Sequence, residues 1–344
     1  MPIKFLMSTR RSFSAGGVLA ALILCANPAE SETRIGYLTR PEVRSFIGFM
    51  HAEHGLELAE LERILGQARH QPSIVRLMHL KRPKSVQPVR SYPAYRAKFL
   101  TDARISAGAQ YWKIHEADLR RAETEFGVPA HVILGILGVE TVFGRNTGSF
   151  RVLDALATIA FDGRRRQEYF REELKEFLLL TREIGVDPLA MKGSYAGAMG
   201  LPQFMPSSYR RHAVDFDDDG LIDLVGSPAD AIGSIASYLK AYGWTAGEVA
   251  TASVRLPADR AAKLVTGLRR VHNVAELREK GVKFSDSGLP EGTCSVIELP
   301  APGKPSKYLA GFANFEAVTR YNRSTFYATA VLELADAILA ARTR

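Results

Sequence analysis

The stretch Ile133-Leu134-Gly135-Ile136-Leu137-Gly138-Val139-Glu140-Thr141-Val142-Phe143-Gly144 sets one carboxylate in a run that is otherwise almost wholly apolar. Ile133, Ile136, Leu137 and Glu140 recur at helical spacing, so Glu140 lies on or beside the apolar stripe of a helix. Pro129 suits the first position of that helix and Gly144 its C-cap. A buried ionised carboxylate costs several kcal/mol unless it is paired or protonated. The useful form in such a setting is a carboxylic acid of raised pKa, able to donate a proton near neutral pH. The structural alternative is a Glu that turns outward in the last turn or pairs with an Arg.

Helical patterns dominate on either side. Residues 42–50 and 56–68 read as a helical pair, the second with Leu58, Leu61, Ile64 and Leu65 on one stripe. Pro72, Pro83, Pro88 and Pro93 mark an irregular stretch. Residues 95–126 then read as continuous helix with few breakers. Further helices are expected over 153–161, 167–184 and 230–242, and one or two over 315–341. Between residues 251 and 313 the texture changes to short alternating pieces at 253–256, 294–299 and 308–312, which read as strands. The expectation is an α+β fold, mainly α-helical. Its parts are an N-terminal helical region (32–130), a catalytic core (131–250), a small β-containing insert (251–313) and a helical segment that completes the core (314–344).

The chain has 344 residues and a formal charge of +8. Residues 1–31 read as an export signal. Lys4, Arg10 and Arg11 precede a charge-free apolar run of eleven residues, Ala15 to Cys25, which is too short to span a bilayer comfortably. Thr9-Arg10-Arg11-Ser12-Phe13 is similar to a twin-arginine signal. Lipid anchoring at Cys25 is the weaker reading, because Leu24 stands where lipoprotein signals carry a small residue. Without residues 1–31, which hold Lys4, Arg10, Arg11 and Glu30, the charge is +6. That excess suits an acidic polymer such as cell wall, and no basic run interleaved with aromatics favours nucleic acid. Beyond Cys25 the only cysteine is Cys294, so no internal disulfide is available to an exported chain and the core must hold it. A periplasmic monomer is expected.

Three further patches carry chemistry. Residues 192–209, Lys-Gly-Ser-Tyr-Ala-Gly-Ala-Met-Gly-Leu-Pro-Gln-Phe-Met-Pro-Ser-Ser-Tyr, are too rich in Gly, Ser and Pro for a core helix. They read as a backbone wall that a ligand approaches closely, with Ser194 and Gln203 able to bond sugar amides and hydroxyls. Asp215-Phe216-Asp217-Asp218-Asp219-Gly220-Leu221-Ile222-Asp223 matches the front of an EF-hand loop. Asp215, Asp217 and Asp219 supply oxygens, Gly220 the sharp turn and Leu221 a carbonyl. Gly226 stands where the closing Glu belongs, and Asp230 is the next carboxylate that could close a longer loop. Five Asp in nine residues repel one another without a cation. Calcium fits the all-oxygen set, with sodium and magnesium as alternatives. Residues 313–327 gather aromatics and amides suited either to sugar binding or to helix packing.

Taken together, these four patches, in this order, resemble the membrane-bound type B family of lytic murein transglycosylases, glycoside hydrolase family 103. The resemblance runs from about residue 40 to the end. It implies a lysozyme-like core with helical and small β additions. It implies cleavage of the β-1,4 bond between N-acetylmuramic acid and N-acetylglucosamine in peptidoglycan, with a 1,6-anhydromuramoyl end as product. The enzyme would be a carbon–oxygen lyase acting on polysaccharide. By motif match the acid/base falls on Glu140. Glycan contacts fall on Ser194, Gln203, Tyr238, Tyr321, Asn322, Tyr327 and Tyr95 (with Tyr92 close by), and muropeptide contacts on Arg165 and Arg166. A structural calcium ion falls on Asp215, Asp217, Asp219, Leu221 and Asp230. No cofactor is implied for the chemistry. The implied partners are peptidoglycan glycan strands, with cell-wall synthesis proteins as further candidates.

The residues agree with that chemistry. An ordinary glycosidase needs two carboxylates, and only Glu140 reads as a carboxylate in a cleft-like setting, the clustered Asp residues being committed to a cation. One acid suffices if the substrate supplies the nucleophile. The alternatives are a lysozyme-type muramidase, with the same acid and water as acceptor, and a non-catalytic wall-binding scaffold.

Overall fold

Prolines that read as breakers open helices instead. The computed structural model describes residues 36–79, 90–164, 166–257, 264–285 and 288–343; the export signal and Arg165 lie outside them. After a 3-10 turn at Tyr37–Thr39, Pro41 starts α1 (Pro41–His54), followed by α2 (Leu58–Gly66). Pro72 starts α3 (Pro72–His79), so the irregular stretch expected from residue 72 is partly helix. The reason is positional: a proline at the first turn surrenders no intrahelical hydrogen bond. Pro93 likewise sits in the first turn of α4 (Tyr92–Arg96).

The helix expected over residues 95–126 is three pieces. The tail of α4 ends at Arg96. Thr101 then caps α5 (Asp102–Ile114), its side chain accepting from Arg104 N, and His115 separates α5 from α6 (Glu116–Phe126). A Thr side chain that satisfies an orphan N–H starts a helix where apolar periodicity shows no break.

Next comes α7 (Ala130–Thr141), capped by Pro129 rather than begun by it. Residues 132–138 are all buried, so the helix is apolar nearly all round and is packed on every side. Helices α5, α6, α11 (Pro228–Ala241) and α14 (Thr325–Arg342) all rest on it. The glycines in the quoted run permit this. A methyl on Gly135 would stand 2.5 Å from the Val331 carbonyl, and one on Gly138 2.8 Å from Leu334, both on α14. Between α7 and α11 lie α8 (Val152–Ala157), running into a π-turn at Thr158–Asp162, then α9 (Gln167–Glu183) and α10 (Pro206–His212). A two-residue antiparallel ladder of β1 (Phe150–Arg151) with β2 (Lys192–Gly193) joins the turn after α7 to the Gly-rich segment. Helix α13 (Ala313–Tyr321) leads into α14.

The strand-textured segment forms a five-stranded sheet in the order β4-β6-β7-β3-β5. Its strands are β3 (Thr251–Arg255), β4 (His272–Asn273), β5 (Lys283–Phe284), β6 (Thr293–Ala301) and β7 (Lys304–Gly311), with α12 (Val274–Glu279) between β4 and β5. Period-two alternation gives the sheet two faces. One, with Ala252, Val254, Val296 and Ala310, builds a small core with Val274, Leu277 and buried Cys294. The other, with Ile297, Leu299 and Leu309, joins the main core. Among the described residues no single helix is long and apolar enough to cross a membrane.

Candidate active site

Glu140 is the next-to-last residue of α7, and the backbone just beyond the helix is strained. Val142 (φ 53°) and Phe143 (φ 57°) are both left-handed before Gly144 (φ 86°), so the helix stops two residues short of the expected glycine cap. Left-handed backbone costs an L-residue about 1–2 kcal/mol, and β-branched Val is rarely found there. Thr141 holds the turn in place. Its Oγ1 donates to the Leu201 carbonyl at 2.9 Å and accepts from Gly144 N at 3.0 Å. Phe143 N reaches back to the Leu137 carbonyl at 3.1 Å. The carboxylate therefore sits at a rigid junction between a core helix and the Gly-rich segment.

Burial pushes the Glu140 carboxyl up, to about 7, against the opposing effect of a hydrogen bond from Tyr327. The Tyr327 hydroxyl, on the first turn of α14, donates to Glu140 Oε1 at 2.5 Å. Among the described residues no second acid shifts this carboxyl. Tyr321, at the end of α13, has a buried hydroxyl without a partner among the described residues. Burial first, and then the Glu140 charge, hold the Tyr321 and Tyr327 hydroxyls well above the ordinary phenol range. Tyr238 of α11 lies against Tyr321 with ring centroids 4.7 Å apart and donates its hydroxyl to the Arg320 carbonyl at 2.9 Å. Phe204 closes the group, 5.3 Å from Tyr238 and 5.7 Å from Tyr321. On the other flank Tyr95 is half-buried against Phe326, and the Glu140 charge acts on it after burial. Its neighbour Tyr92 is buried in the core, with a raised pKa set by burial and then Glu333. That difference separates the two tyrosines.

The Gly-rich segment is built by backbone pairing. Met199 and Phe204 exchange hydrogen bonds at 2.8 and 3.0 Å, and Ser194 N donates to the Ala198 carbonyl at 2.8 Å. Ser194 Oγ accepts from Ala198 N at 3.0 Å. Gln203, itself left-handed, donates its amide nitrogen to the carbonyls of Thr147 and Gly200, both at 3.0 Å. This leaves its side-chain oxygen free to accept. Gly148 (φ 94°) shows why glycine is needed where the two backbones meet: a methyl there would lie 2.2 Å from the Gly193 carbonyl carbon.

The remaining sequence candidates fall further out. Arg166 is exposed in a left-handed turn and stacks 4.1 Å from the Tyr169 ring, and Tyr169 acts electrostatically on Tyr238. Asn322 is exposed, beside Tyr321 on the turn into α14. Sequence reasoning does not single out Phe204, Tyr169 or Thr141. An aromatic three residues after an arginine at a helix start is the readable sign for Tyr169. Phe204 and Thr141 carry no sign apart from tertiary contact.

The acidic loop gathers Asp215, Asp217 and Asp230, with one oxygen of each within 4.8 Å of the others. Asp230 is 1% exposed and accepts from Phe216 N at 2.6 Å and Asp223 N at 2.7 Å. Burial raises its pKa, the two N–H donors oppose that, and Asp217 and Asp215 add to the rise. Asp219 and Leu221 are exposed and outside this group of three; Asp219 Oδ1 accepts from Leu221 N at 2.8 Å. Three convergent hard-oxygen donors, two of them accessible, fit a calcium-type cation. Gly220 (φ 89°) makes the expected turn, and Asp218 (φ 59°) a second.

The family model described as "Transglycosylase SLT domain" matches residues 39–336. Membrane-bound lytic murein transglycosylase B of Escherichia coli (strain K12) is 41% identical over 313 residues, covering 90% of this chain and 85% of that one. The crystal structure of soluble lytic transglycosylase SltB1 from Pseudomonas aeruginosa superposes with a TM-score of 0.82 at 44% identity, covering 88% of this chain and all of that one. The Escherichia coli lytic transglycosylase Slt35, solved in complex with calcium, gives a TM-score of 0.82 at 39% identity, covering 92% of this chain and 99% of that one.

Proposed function

The chain belongs to the transglycosylase SLT-domain family, an α+β group of lysozyme-like fold, and from that premise we propose that it cleaves peptidoglycan by a single-residue mechanism. The bond is the β-1,4 link between N-acetylmuramic acid and N-acetylglucosamine, and the product is a 1,6-anhydromuramoyl end. The observation that carries the reading is Glu140: one isolated acid, raised to about 7 by burial and bonded by buried Tyr327.

Protonated Glu140 gives its proton to the glycosidic oxygen as the C1–O bond breaks. The neighbouring N-acetyl group stabilises the positive charge at C1. The Glu140 carboxylate then takes the proton of the C6 hydroxyl as that oxygen bonds to C1, so the acid is regenerated and no water is consumed. Tyr327 steadies the carboxylate between the two steps. Tyr321, whose ring is partly accessible, meets a sugar face, and buried Tyr238 and Phe204 pack behind it and hold it in place. Ser194, Gln203, Asn322 and Tyr95 supply further glycan contacts, and Arg165 and Arg166 meet muropeptide groups. Asp215, Asp217 and Asp230, joined by Asp219 and the Leu221 carbonyl as the loop closes, hold a structural calcium ion away from the chemistry. Reducing-end analysis of digested peptidoglycan tests the reaction. Anhydro ends are expected; reducible ends would make the protein a muramidase, and no release a wall-binding scaffold.

The pH profile follows from the same acid. Glu140 must carry its proton when substrate binds, and half of it does so at about pH 7. The kcat/KM on glycan is expected to hold level from pH 5 to 6 and to fall about tenfold per unit above 7. A profile level from pH 6 to 9 would remove Glu140 as the acid.

The working place is the periplasm, reached by cleavage of the N-terminal signal between Ala26 and Ser31, without lipid on Cys25. Mass spectrometry of the mature N-terminus decides this. A diacylglyceryl group on Cys25 would show an anchored form instead.

A further inference from the structure

The sheet carries a row of like charges that its own packing does not explain. Leu299 on β6 pairs with Lys307 on β7, and Arg255 on β3 pairs with Lys283 on β5. Because Val254 pairs with Tyr308, the register sets Arg255 opposite Lys307. Lys307, Arg255 and Lys283 therefore stand side by side on one face across three adjacent strands, all exposed. Directly opposed like charges destabilise a sheet. None of the three has an ion pair among the described residues.

This face borders a groove of about 640 Å³ between the sheet and α14. Its lining includes Arg255, Lys307, Ser253, Leu256 and Leu309 from the sheet and Glu333 from α14. Glu333 is ion-paired with Arg96 of α4 and makes no ion pair with either cation. The groove and the proposed site share two helices. Helix α4 carries Tyr95, on which the Glu140 charge acts, next to Arg96. Helix α14 carries Tyr327, bonded to Glu140, six residues or ~9 Å of helix rise before Glu333.

We infer that this groove binds the carboxylate-bearing peptide stems of the peptidoglycan strand whose glycan lies at Glu140. The cation row takes peptide carboxylates, and the partly buried Leu256 and Leu309 beside it meet aliphatic side chains. A bare polyanion would find no use for the leucines. The inference rests on the proposed function for its substrate. It adds that the sheet insert selects peptide-bearing over stripped glycan.

The test uses the mature chain with Arg255→Gln, Lys307→Gln and the double variant, at exposed strand positions where Gln is tolerated. On peptide-bearing glycan the double variant is expected to raise KM about tenfold with kcat unchanged, as loss of uniform binding does. On glycan stripped of peptide by an amidase it is expected to match wild type. A free pentapeptide titrated into the isotope-labelled wild type should shift amide signals of β3 and β7, and should fail to do so in the double variant. Equal KM changes on both glycans, or peptide shifts that persist in the double variant or fall elsewhere, would overturn the inference. The titration needs no turnover, so it still decides about the groove if wild type releases no anhydro product and the proposed reaction is what fails.

Discussion

Glu140→Gln is expected to abolish turnover and, above neutral pH, to make the protein more stable. Gln keeps the shape and still accepts the Tyr327 hydrogen bond, but it neither donates an acidic proton nor takes one back. General acid–base contributions are typically about 100- to 10,000-fold, and one residue serving both steps places the loss at the upper end. The stability change follows by linkage. Burial raises the Glu140 pKa in the folded protein to about 7, above its ordinary value of 4.5. Its contribution to folding is thus fully present below pH 4.5 and is lost as pH rises through 7. At pH 8 the wild type carries a penalty of about 3 kcal/mol that Gln lacks. The variant is therefore expected to melt higher than wild type at pH 8 and alike at pH 4. Retention of more than roughly a tenth of wild-type turnover, on the same scale of effects, would take Glu140 out of the reaction. A variant that melts lower at pH 8 would mean that the carboxylate is stabilised rather than strained.

How much of this was legible in the sequence depends on the range of the forces involved. The apolar run around Glu140 reads directly because burial is written in composition, and the strand texture of residues 251–313 reads because alternation has period two. The break of residues 95–126 at Thr101 and His115 does not, since capping replaces hydrogen bonds without disturbing apolar spacing. Pro72 misleads because proline reads alike as breaker and as helix start. The left-handed Val142 and Phe143 are unreadable: the turn is imposed by Thr141 bonding Leu201, sixty residues away. Tyr321, Tyr238 and Tyr327 are ordinary aromatics in sequence, and only the meeting of α11, α13, α14 and α7 makes them neighbours of one acid. Asp230, seven residues past Asp223, reads only as a carboxylate that could close a longer loop. Its place beside Asp215 and Asp217 comes from the two backbone N–H groups that it ties together.

Calcium is expected to raise the melting temperature, and Asp217→Ala to cancel that rise. Three carboxylates within 4.8 Å carry repulsion that a divalent ion relieves. An ion that binds the folded state alone adds about 2.7 kcal/mol at a hundredfold excess over its Kd. For a chain of this size that is about 4 °C. The choice of residue matters. Asp230 is buried and holds the N–H groups of Phe216 and Asp223, so replacing it would damage the loop with or without an ion. Asp217 is exposed, and its carboxylate is bonded by the Ser227 hydroxyl at 2.7 Å, which water can replace. Its loss should cost little in chelator and much in calcium. Scanning calorimetry of both proteins, each with calcium and with EGTA, reads the difference. Wild type should melt lower in EGTA, and the variant should melt alike in both buffers, near the wild type in EGTA. A wild-type melting temperature unmoved by chelator would leave the cluster an acidic turn braced by its own backbone, and Glu140 catalysis would stand without it.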